Sequence, residues 1–457
     1  MAQELGEFLR ELEAAGELTR LREELSPRYE VGAAIRYVAE RKGSAVLCER
    51  VQGYSTPVVG NLLGSPRRLA MAFGVAPEQV ADAYRRGREN PVKPRLVKDA
   101  PVQEVVIDRD VNVVAAMPVL THHEKDASPY LTSAFTVAKD PETGLRSMGL
   151  HRVQIKDGDT VGLLLATPPI STFMAKADAR KQPLEIAIVC GADPLSFFTS
   201  CVAAPQGIDK FDLAGGFAGR PLDLVKCRTV DLEVPAQAQF VIEGATVPGR
   251  WEPEGPFGES TGYYFTFNNP VAKIRAITHR KSPIYHALMP FGPEEPVLMN
   301  IAWEVDSLPL LRAVLPRVRR ARPMGLMAIA VQIDKESDGD ALQVIDALLA
   351  QSFIKLVVVV DSDVEIDDVS QVLWALATRV RPDKDVVIRT DVPSTGIDPC
   401  TVGEERTPDL AQRFGRASKM GIDATKPLGE DERFEKIDVP APVKAKVEQM
   451  LARVLGG

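Results

Sequence analysis

Apolar residues change their spacing twice along this chain, near residues 101 and 301, and that change constrains the fold more than any other feature. The middle part is rich in short β-type runs, whereas both flanking parts mix helical and strand patterns. At 457 residues the chain is also too long for one ordinary core. We therefore predict a mixed α/β (α+β) protein with an α/β domain over 1–100, a β-rich domain over 101–300 and an α/β domain over 301–457.

Short apolar runs separated by Gly, Pro and Asp mark the middle part. Examples are Glu104–Asp108, Leu184–Cys190 and Ala238–Glu243, and such runs predict a mainly antiparallel sheet or barrel. After residue 301 the continuous apolar runs Leu326–Ile333 and Leu356–Val360 flank a helical pattern. That order is typical of parallel strands covered by helices.

Helical patterns lie at both ends of the chain. Near the start, apolar residues recur at helical spacing from Leu5 to Leu12, and Pro77 begins a second predicted helix that continues through Tyr84. Near the end, the segment from Pro442 to Leu455 carries one apolar stripe. A terminal amphipathic helix of this kind packs either on its own domain or on another subunit.

Composition restricts the class of protein. The formal net charge is −8, from 55 basic and 63 acidic side chains, which disfavours nucleic acid and anionic membranes as partners. No apolar run is long enough to cross a bilayer, and the N-terminus lacks the features of a secretory signal. The five cysteines show no zinc-ligand spacing, so we interpret them as reduced thiols. We expect a cytoplasmic protein.

Glu254-Gly-Pro-Phe-Gly-Glu259 is the segment with the strongest chemical signal. Pro256 fixes one backbone dihedral, and Gly255 and Gly258 permit conformations that other residues resist. We therefore predict a shaped turn that directs both carboxylates into one pocket. A solvated acidic turn explains the segment alone equally well.

The residues around this segment resemble a known family. Trp251–Tyr264 resembles the signature segment of UbiD-type decarboxylases, which use prenylated FMN, and Ser147–Gln154, Gly207–Gly215 and Lys355–Arg379 follow that family's order. The resemblance implies a split β-barrel that holds the flavin in the central domain. It also implies a homodimer or larger assembly built through the C-terminal helix, and a separate flavin prenyltransferase that supplies the cofactor.

The same resemblance implies a reaction, the reversible non-oxidative decarboxylation of an aromatic, heteroaromatic or α,β-unsaturated carboxylic acid. No side chain supplies the electron sink that this reaction needs, so a cofactor must. The matched positions imply that Arg152 holds the substrate carboxylate, Glu259 delivers the proton and Glu254 orients Arg152. The reverse assignment, with Glu254 as the proton donor, stays open. The implied cofactor-binding residues are Ser147, Met148, Leu150, His151, Arg152, Gln154, Lys210 and Lys355.

This sequence departs from the family at its metal site. Relatives hold the flavin phosphate through a divalent metal bound by Asn, His and Glu, and the corresponding positions are Ser147, the neighbourhood of Thr167, and Lys210. We hypothesise that the ammonium group of Lys210 replaces the metal, because it can neutralise phosphate directly. Binding of Mn or K stays open. Lys355 matches a lysine near the flavin, or it is an ordinary lysine at the edge of a strand.

These departures support one competing hypothesis, an assembly subunit, and no residues support a second, a plain FMN-binding or redox protein. The chain could be a non-catalytic or assembly subunit of a multi-subunit carboxylase complex, or a plain FMN-binding protein. The intact Arg152, Glu254 and Glu259 favour the enzyme. Candidates for an apolar pocket wall are Met289, Pro290, Phe291, Leu298 and Ile397, although core packing explains them equally well. Glu294 and Glu295 are expected to be solvated.

Overall fold

The computed structural model describes residues 4–165, 167–401 and 414–454. The N-terminal part contains four helices and three strands. The helices are α1 (Leu5–Ala14), α2 (Glu30–Lys42), α3 (Pro66–Phe73) and α4 (Val80–Glu89), and the strands are β1 (Leu18–Leu25), β2 (Ala45–Val51) and β3 (Val58–Gly60). Helix α1 buries its apolar stripe, as predicted. The helix predicted to begin at Pro77 begins instead as a 3-10 turn over Pro77–Gln79, and α4 follows it.

The central part is dominated by β-strands. Its strands are β4 (Arg95–Leu96), β5 (Val105–Ile107), β6 (Tyr130–Leu131), β7 (Phe135–Lys139), β8 (Arg146–Leu150), β9 (Val153–Asp157), β10 (Thr160–Leu163), β11 (Glu185–Cys190), β12 (Asp223–Lys226), β13 (Glu233–Pro235), β14 (Phe240–Gly258), β15 (Tyr264–His279) and β16 (Tyr285–Ala287). Its helices are α5 (Val113–Ala116), α6 (Ile170–Ala179), α7 (Pro194–Cys201) and α8 (Lys210–Ala218).

Nine of these strands form one sheet with the order β6-β9-β10-β15-β14-β11-β7-β8, in which β5 pairs with β15. All recorded pairings in this sheet are antiparallel, as predicted. The path is open, and the described strands do not close into a barrel. Strand β16 instead pairs in parallel with β3, so the N-terminal sheet has the order β1-β2-β3-β16. The N-terminal and central parts therefore share a sheet and a core.

The C-terminal part alternates helices and strands. Its helices are α9 (Glu294–Val314), α10 (Asp340–Leu349), α11 (Val369–Arg379) and α12 (Ala441–Val454), and its strands are β17 (Val318–Pro323), β18 (Ala328–Ile333), β19 (Leu356–Asp361), β20 (Val386–Thr395) and β21 (Phe414–Asp423). The sheet order is β17-β18-β19-β21-β20, and β18, β19 and β21 run parallel. The mixed α/β class predicted from the sequence is confirmed.

Hydrophobic clusters cover both faces of the central and C-terminal sheets. Helix α12 differs from the other helices, because its apolar residues Val443, Val447, Met450 and Leu451 are each at least 40% exposed in the single chain. The five cysteines are all unpaired, as expected. Within the described residues, no helix combines the length and the apolar character needed to span a membrane.

Candidate active site

Strands β8, β9 and β14 bring the three predicted catalytic side chains together. Arg152 lies in the connection between β8 and β9, Glu254 lies within β14, and Glu259 follows the end of β14. The segment predicted to be a turn is instead the bulged end of the long strand β14. Two residues, Gly255 and Pro256, oppose a single residue of β15 there. Pairing with β15, which local sequence does not reveal, explains why the turn prediction was wrong.

Gly255 permits this bulge. Its φ is +123°, and a Cβ atom built on it would lie 2.5 Å from the carbonyl oxygen of Phe265. Only glycine tolerates that conformation and that close approach without strain. The glycine therefore lets β14 bend between its two glutamates while it stays paired with β15.

Arg152 is clamped by both acids. Its Nε donates to Oε1 of Glu254 at 3.0 Å, its Nη2 donates to Oε2 of Glu254 at 2.6 Å, and its Nη1 donates to Oε1 of Glu259. Asn269 also donates to Glu254, at 2.8 Å. Burial alone would lower the pKa of Arg152, but the two carboxylates outweigh it and hold that pKa above its usual value. Glu254 is fully buried, while Glu259 keeps slight exposure.

An apolar cavity of about 360 Å³ adjoins this cluster. Arg152 and Glu259 lie on its wall, whereas Glu254 does not. Most of the remaining wall is apolar or aromatic, from Leu150, Leu164, Phe257, Phe267, Leu288 and Phe353. The guanidinium group of Arg152 lies 4.5 Å from the ring centroid of Phe257 and 5.7 Å from that of Phe267. A flat ring carrying a carboxylate suits such a wall.

The predicted cofactor-binding residues occupy different places. Leu150 and His151 line the cavity with Arg152. Met148 packs in the hydrophobic core. Ser147 and Gln154 are buried, and the Ser147 Oγ and Gln154 Oε1 atoms have no hydrogen-bond partner among the described residues.

The two predicted lysines differ in their surroundings. Lys355 donates to Oδ1 of Asp398 at 2.7 Å and does not line the cavity. Lys210 is 4% exposed, and its Nζ donates to the carbonyl oxygen of Ser200 at 3.2 Å. Burial lowers the pKa of Lys210 to about 8. In the described parts of the chain no carboxylate pairs with Lys210, and Lys210, like Lys355, does not line the cavity.

The donor set does not fit the metal that relatives use. Ser147 and Lys210 stand at two of the three ligand positions, and a protonated ammonium group cannot bind a cation. The described residues contain no group of three or more His, Cys, Asp or Glu side chains placed to hold a metal ion.

Sequence reasoning missed two acids. Glu294, expected to be solvated, is only 2% exposed, and Glu295 is half-buried on the cavity wall. No local pattern signals this, because the burial depends on distant parts of the chain: the backbone N–H of Leu63 donates to Oε1 of Glu294 at 2.6 Å. Of the apolar candidates, Pro290 and Ile397 line the cavity, whereas Leu298 lies in the core and Phe291 is exposed.

A mixed α/β fold that places a buried arginine and two glutamates beside an apolar cavity has the features of an enzyme with a small-molecule site. Comparison with protein families identifies the family. Residues 9–86 match the 3-octaprenyl-4-hydroxybenzoate carboxy-lyase N-terminal domain, residues 95–293 match its Rift-related domain and residues 297–424 match its C-terminal domain. The chain belongs to the UbiD family of carboxy-lyases.

Solved structures agree with this assignment. The UbiD-class enzyme HmfF from Pelotomaculum thermopropionicum, in complex with FMN, is 38% identical over 96% of this chain and 98% of that chain, with a TM-score of 0.88. An evolved dimeric form of HmfF in complex with prFMN is 36% identical over 97% and 98%, with a TM-score of 0.85. Vanillic acid decarboxylase from Sedimentibacter hydroxybenzoicus, in its closed form, is 33% identical over the full length of both chains, with a TM-score of 0.85.

Proposed function

We propose that this protein catalyses the reversible non-oxidative decarboxylation of an aromatic, heteroaromatic or α,β-unsaturated carboxylic acid with prenylated FMN. The observation that carries the proposal is the clamp of Arg152 between Glu254 and Glu259 on the wall of an apolar cavity. A non-catalytic subunit would have no use for three buried ionisable groups at a ligand-sized cavity, since burying them is costly.

The surroundings fit a flavin. Leu150 and His151 would contact the ring from the cavity wall, and prenylated FMN when bound supplies the electron sink for loss of CO2. The ammonium group of Lys210, which forms no ion pair among the described residues, would bind the phosphate in place of a metal ion. Structures of HmfF with prFMN and with FMN support this choice of cofactor.

Arg152 would bind the substrate carboxylate through Nη1, the nitrogen that now donates to Glu259. Glu254 takes the other two nitrogens and fixes the plane of the guanidinium group. When Glu259 carries the proton for catalysis, its ion pair with Nη1 of Arg152 is lost, and the substrate carboxylate can accept the hydrogen bond from Nη1 instead. The substrate and Glu259 then lie on the same side of Arg152.

Glu259 would deliver the proton to carbon. It lies on the cavity wall, whereas Glu254 is fully buried and already accepts from Arg152 and Asn269. A general acid must reach the atom that it protonates, so this difference favours Glu259 over the alternative donor.

A panel of carboxylic acids tests the proposal. The protein is purified from cells that also contain a flavin prenyltransferase, and CO2 release is measured for aromatic, heteroaromatic and α,β-unsaturated acids. We expect flavin absorbance and turnover of at least one acid. Bound flavin without turnover would instead indicate a plain flavin-binding protein, and absence of flavin would indicate an assembly subunit.

A further inference from the structure

A third acid, Glu295, lies on the wall of the same cavity in the first turn of α9. Its Oε1 accepts a hydrogen bond from the Ser260 hydroxyl at 2.6 Å, and its Oε2 accepts one from the backbone N–H of Phe291 at 2.7 Å. Within the described ranges no lysine, arginine or histidine pairs with its carboxyl group. Sequence patterns indicate no role for Glu295, and none of the roles proposed for Arg152, Glu254 and Glu259 involves it.

Ser260 joins Glu295 to the proposed proton donor. Its hydroxyl group bonds to Glu295, and its backbone N–H donates to Oε2 of Glu259 at 3.2 Å. One residue therefore touches both carboxyl groups. A serine hydroxyl group can donate or accept, so the contact with Glu295 persists whether or not that acid is protonated.

The charges around Glu295 favour its neutral form. Arg152 carries one positive charge, and Glu254 and Glu259 together oppose it with two negative charges when ionised. A bound substrate carboxylate adds another negative charge. An ionised Glu295 would be repelled by these carboxylates, whose negative charges together outnumber the single positive charge of Arg152.

The other neighbours bring no compensating cation. Glu294 on the same helix is a second acid, and His151 lies across the cavity. From the C-terminal part the cavity receives Phe353 and residues 395–397, none of which is charged. Burial is the main cause that raises the pKa of Glu295, the hydrogen bond from Ser260 lowers it, and the negative charge of Glu259 raises it further. The resulting pKa of Glu295 is about 7.

We propose that Glu295 stores the proton that restores Glu259 after each turnover, with Ser260 between the two carboxyl groups. The inference rests on the proposed decarboxylation, which consumes one proton for each CO2 released. Glu259 gives its proton to carbon as the bond to CO2 breaks, and it is left as a carboxylate. The carboxyl group of Glu295 then gives its proton to a water molecule in the cavity that both acids line, that water gives a proton to the carboxylate of Glu259, and solvent protonates Glu295 again. Glu295 acts only through Glu259: it supplies the proton that Glu259 passes to the substrate, and it does not react with the substrate itself.

Kinetics of the holoenzyme separate this role from a structural one. With an acid identified by the panel, the first turnover and the steady state are timed for the wild type and for Glu295→Gln across neutral pH. We expect a nearly unchanged first turnover when the enzyme is first equilibrated in acidic buffer, where solvent supplies the proton of Glu259, and a steady-state rate at neutral pH that is reduced roughly tenfold or more. Glu294→Gln is the matched control, since that acid is also buried and its pKa is also raised to about 7, but it does not line the cavity. It should retain the wild-type ratio of the two rates.

Equal slowing of both phases in Glu295→Gln, or an unchanged pH profile, would overturn the inference. A second measurement needs no turnover. Infrared difference spectra, recorded on either side of neutral pH, should show protonated carboxyl absorbance from both Glu294 and Glu295. Each single Gln variant should lose one component, and Glu294→Gln should retain a component, assigned to Glu295, that the double variant Glu294→Gln, Glu295→Gln lacks. Absence of the Glu295 component would show that Glu295 holds no proton. If no acid is turned over, the proposed function fails and the inference fails with it, whereas a missing Glu295 component in the infrared spectra of an active enzyme overturns the inference alone.

Discussion

All three guanidinium nitrogens of Arg152 donate hydrogen bonds to Glu254 or Glu259, so the orientation of the guanidinium group is fixed before a substrate binds. Lysine at this position would keep the charge but lose the planar pair of bonds. We predict that Arg152→Lys lowers kcat/KM for CO2 release by roughly 100-fold, because the substrate carboxylate is misplaced. Flavin absorbance and the thermal unfolding temperature serve as controls for folding. Wild-type kinetics in Arg152→Lys would remove Arg152 from the proposed mechanism.

A substitution of Lys210 tests the proposal that this lysine binds the flavin phosphate without a metal ion. We predict that Lys210→Met weakens FMN binding roughly ten- to a hundredfold, the effect of one charged hydrogen bond, and leaves riboflavin binding unchanged. Because burial lowers the pKa of Lys210 to about 8, wild-type affinity for FMN should fall as the pH rises above that value and the ammonium group loses its proton. Fluorescence titration of the apoprotein measures both flavins.

The control for Lys210 lies in the C-terminal part. Lys419 is also buried, and burial also lowers its pKa to about 8, but its Nζ bonds to the carbonyl oxygens of Leu349 and Gln351. Lys419→Met should leave FMN affinity unchanged. A wild-type protein that binds FMN only with Mn present, and releases it to a chelator, would contradict the metal-free site.

At the scale of elements, β14 depends on Gly255. We predict that Gly255→Ala costs about 1–3 kcal/mol of unfolding free energy, through its left-handed backbone and the contact with Phe265. Gly249→Ala in the same strand is the control, because that position also has a positive φ, of +69°, but nothing lies within 4 Å of its Cβ. Urea unfolding of the two variants isolates the effect of the contact, and equal stabilities would contradict it.

The same strand shows what sequence patterns can and cannot predict. Local apolar runs located β11 and β19 almost to the residue, since burial on both faces leaves a continuous signal. The sequence around Ala238–Glu243 indicated only a short strand, yet β14 continues to Gly258 because β15 pairs with its polar half. Strand β16 likewise lies in the N-terminal sheet because it pairs with the distant strand β3. Glu295 was missed for the same reason, since the cavity beside it is assembled from distant segments of the central and C-terminal parts.

At the scale of the whole molecule, helix α12 stands out because four of its described apolar side chains are exposed. Residues Val443, Val447, Met450 and Leu451 lie on one face of this helix and stay exposed in the single chain. Of the two packing arrangements that the sequence allowed, burial against its own domain is not observed. We therefore predict that α12 packs on a second copy of this chain, which would remove these side chains from water.

Replacing two central residues of this face tests the assembly. We predict that the double variant Val447→Glu, Met450→Glu shifts the protein to a monomer, because it would place charge in an apolar interface. Glu448→Lys, also exposed on α12, is the control for a change of charge and should keep the wild-type mass. Sedimentation velocity measures the mass of each variant at several concentrations. If the wild type is a monomer, or if the double variant remains an oligomer, α12 does not build the assembly. Two glutamates at the centre of an apolar interface would be expected to break it.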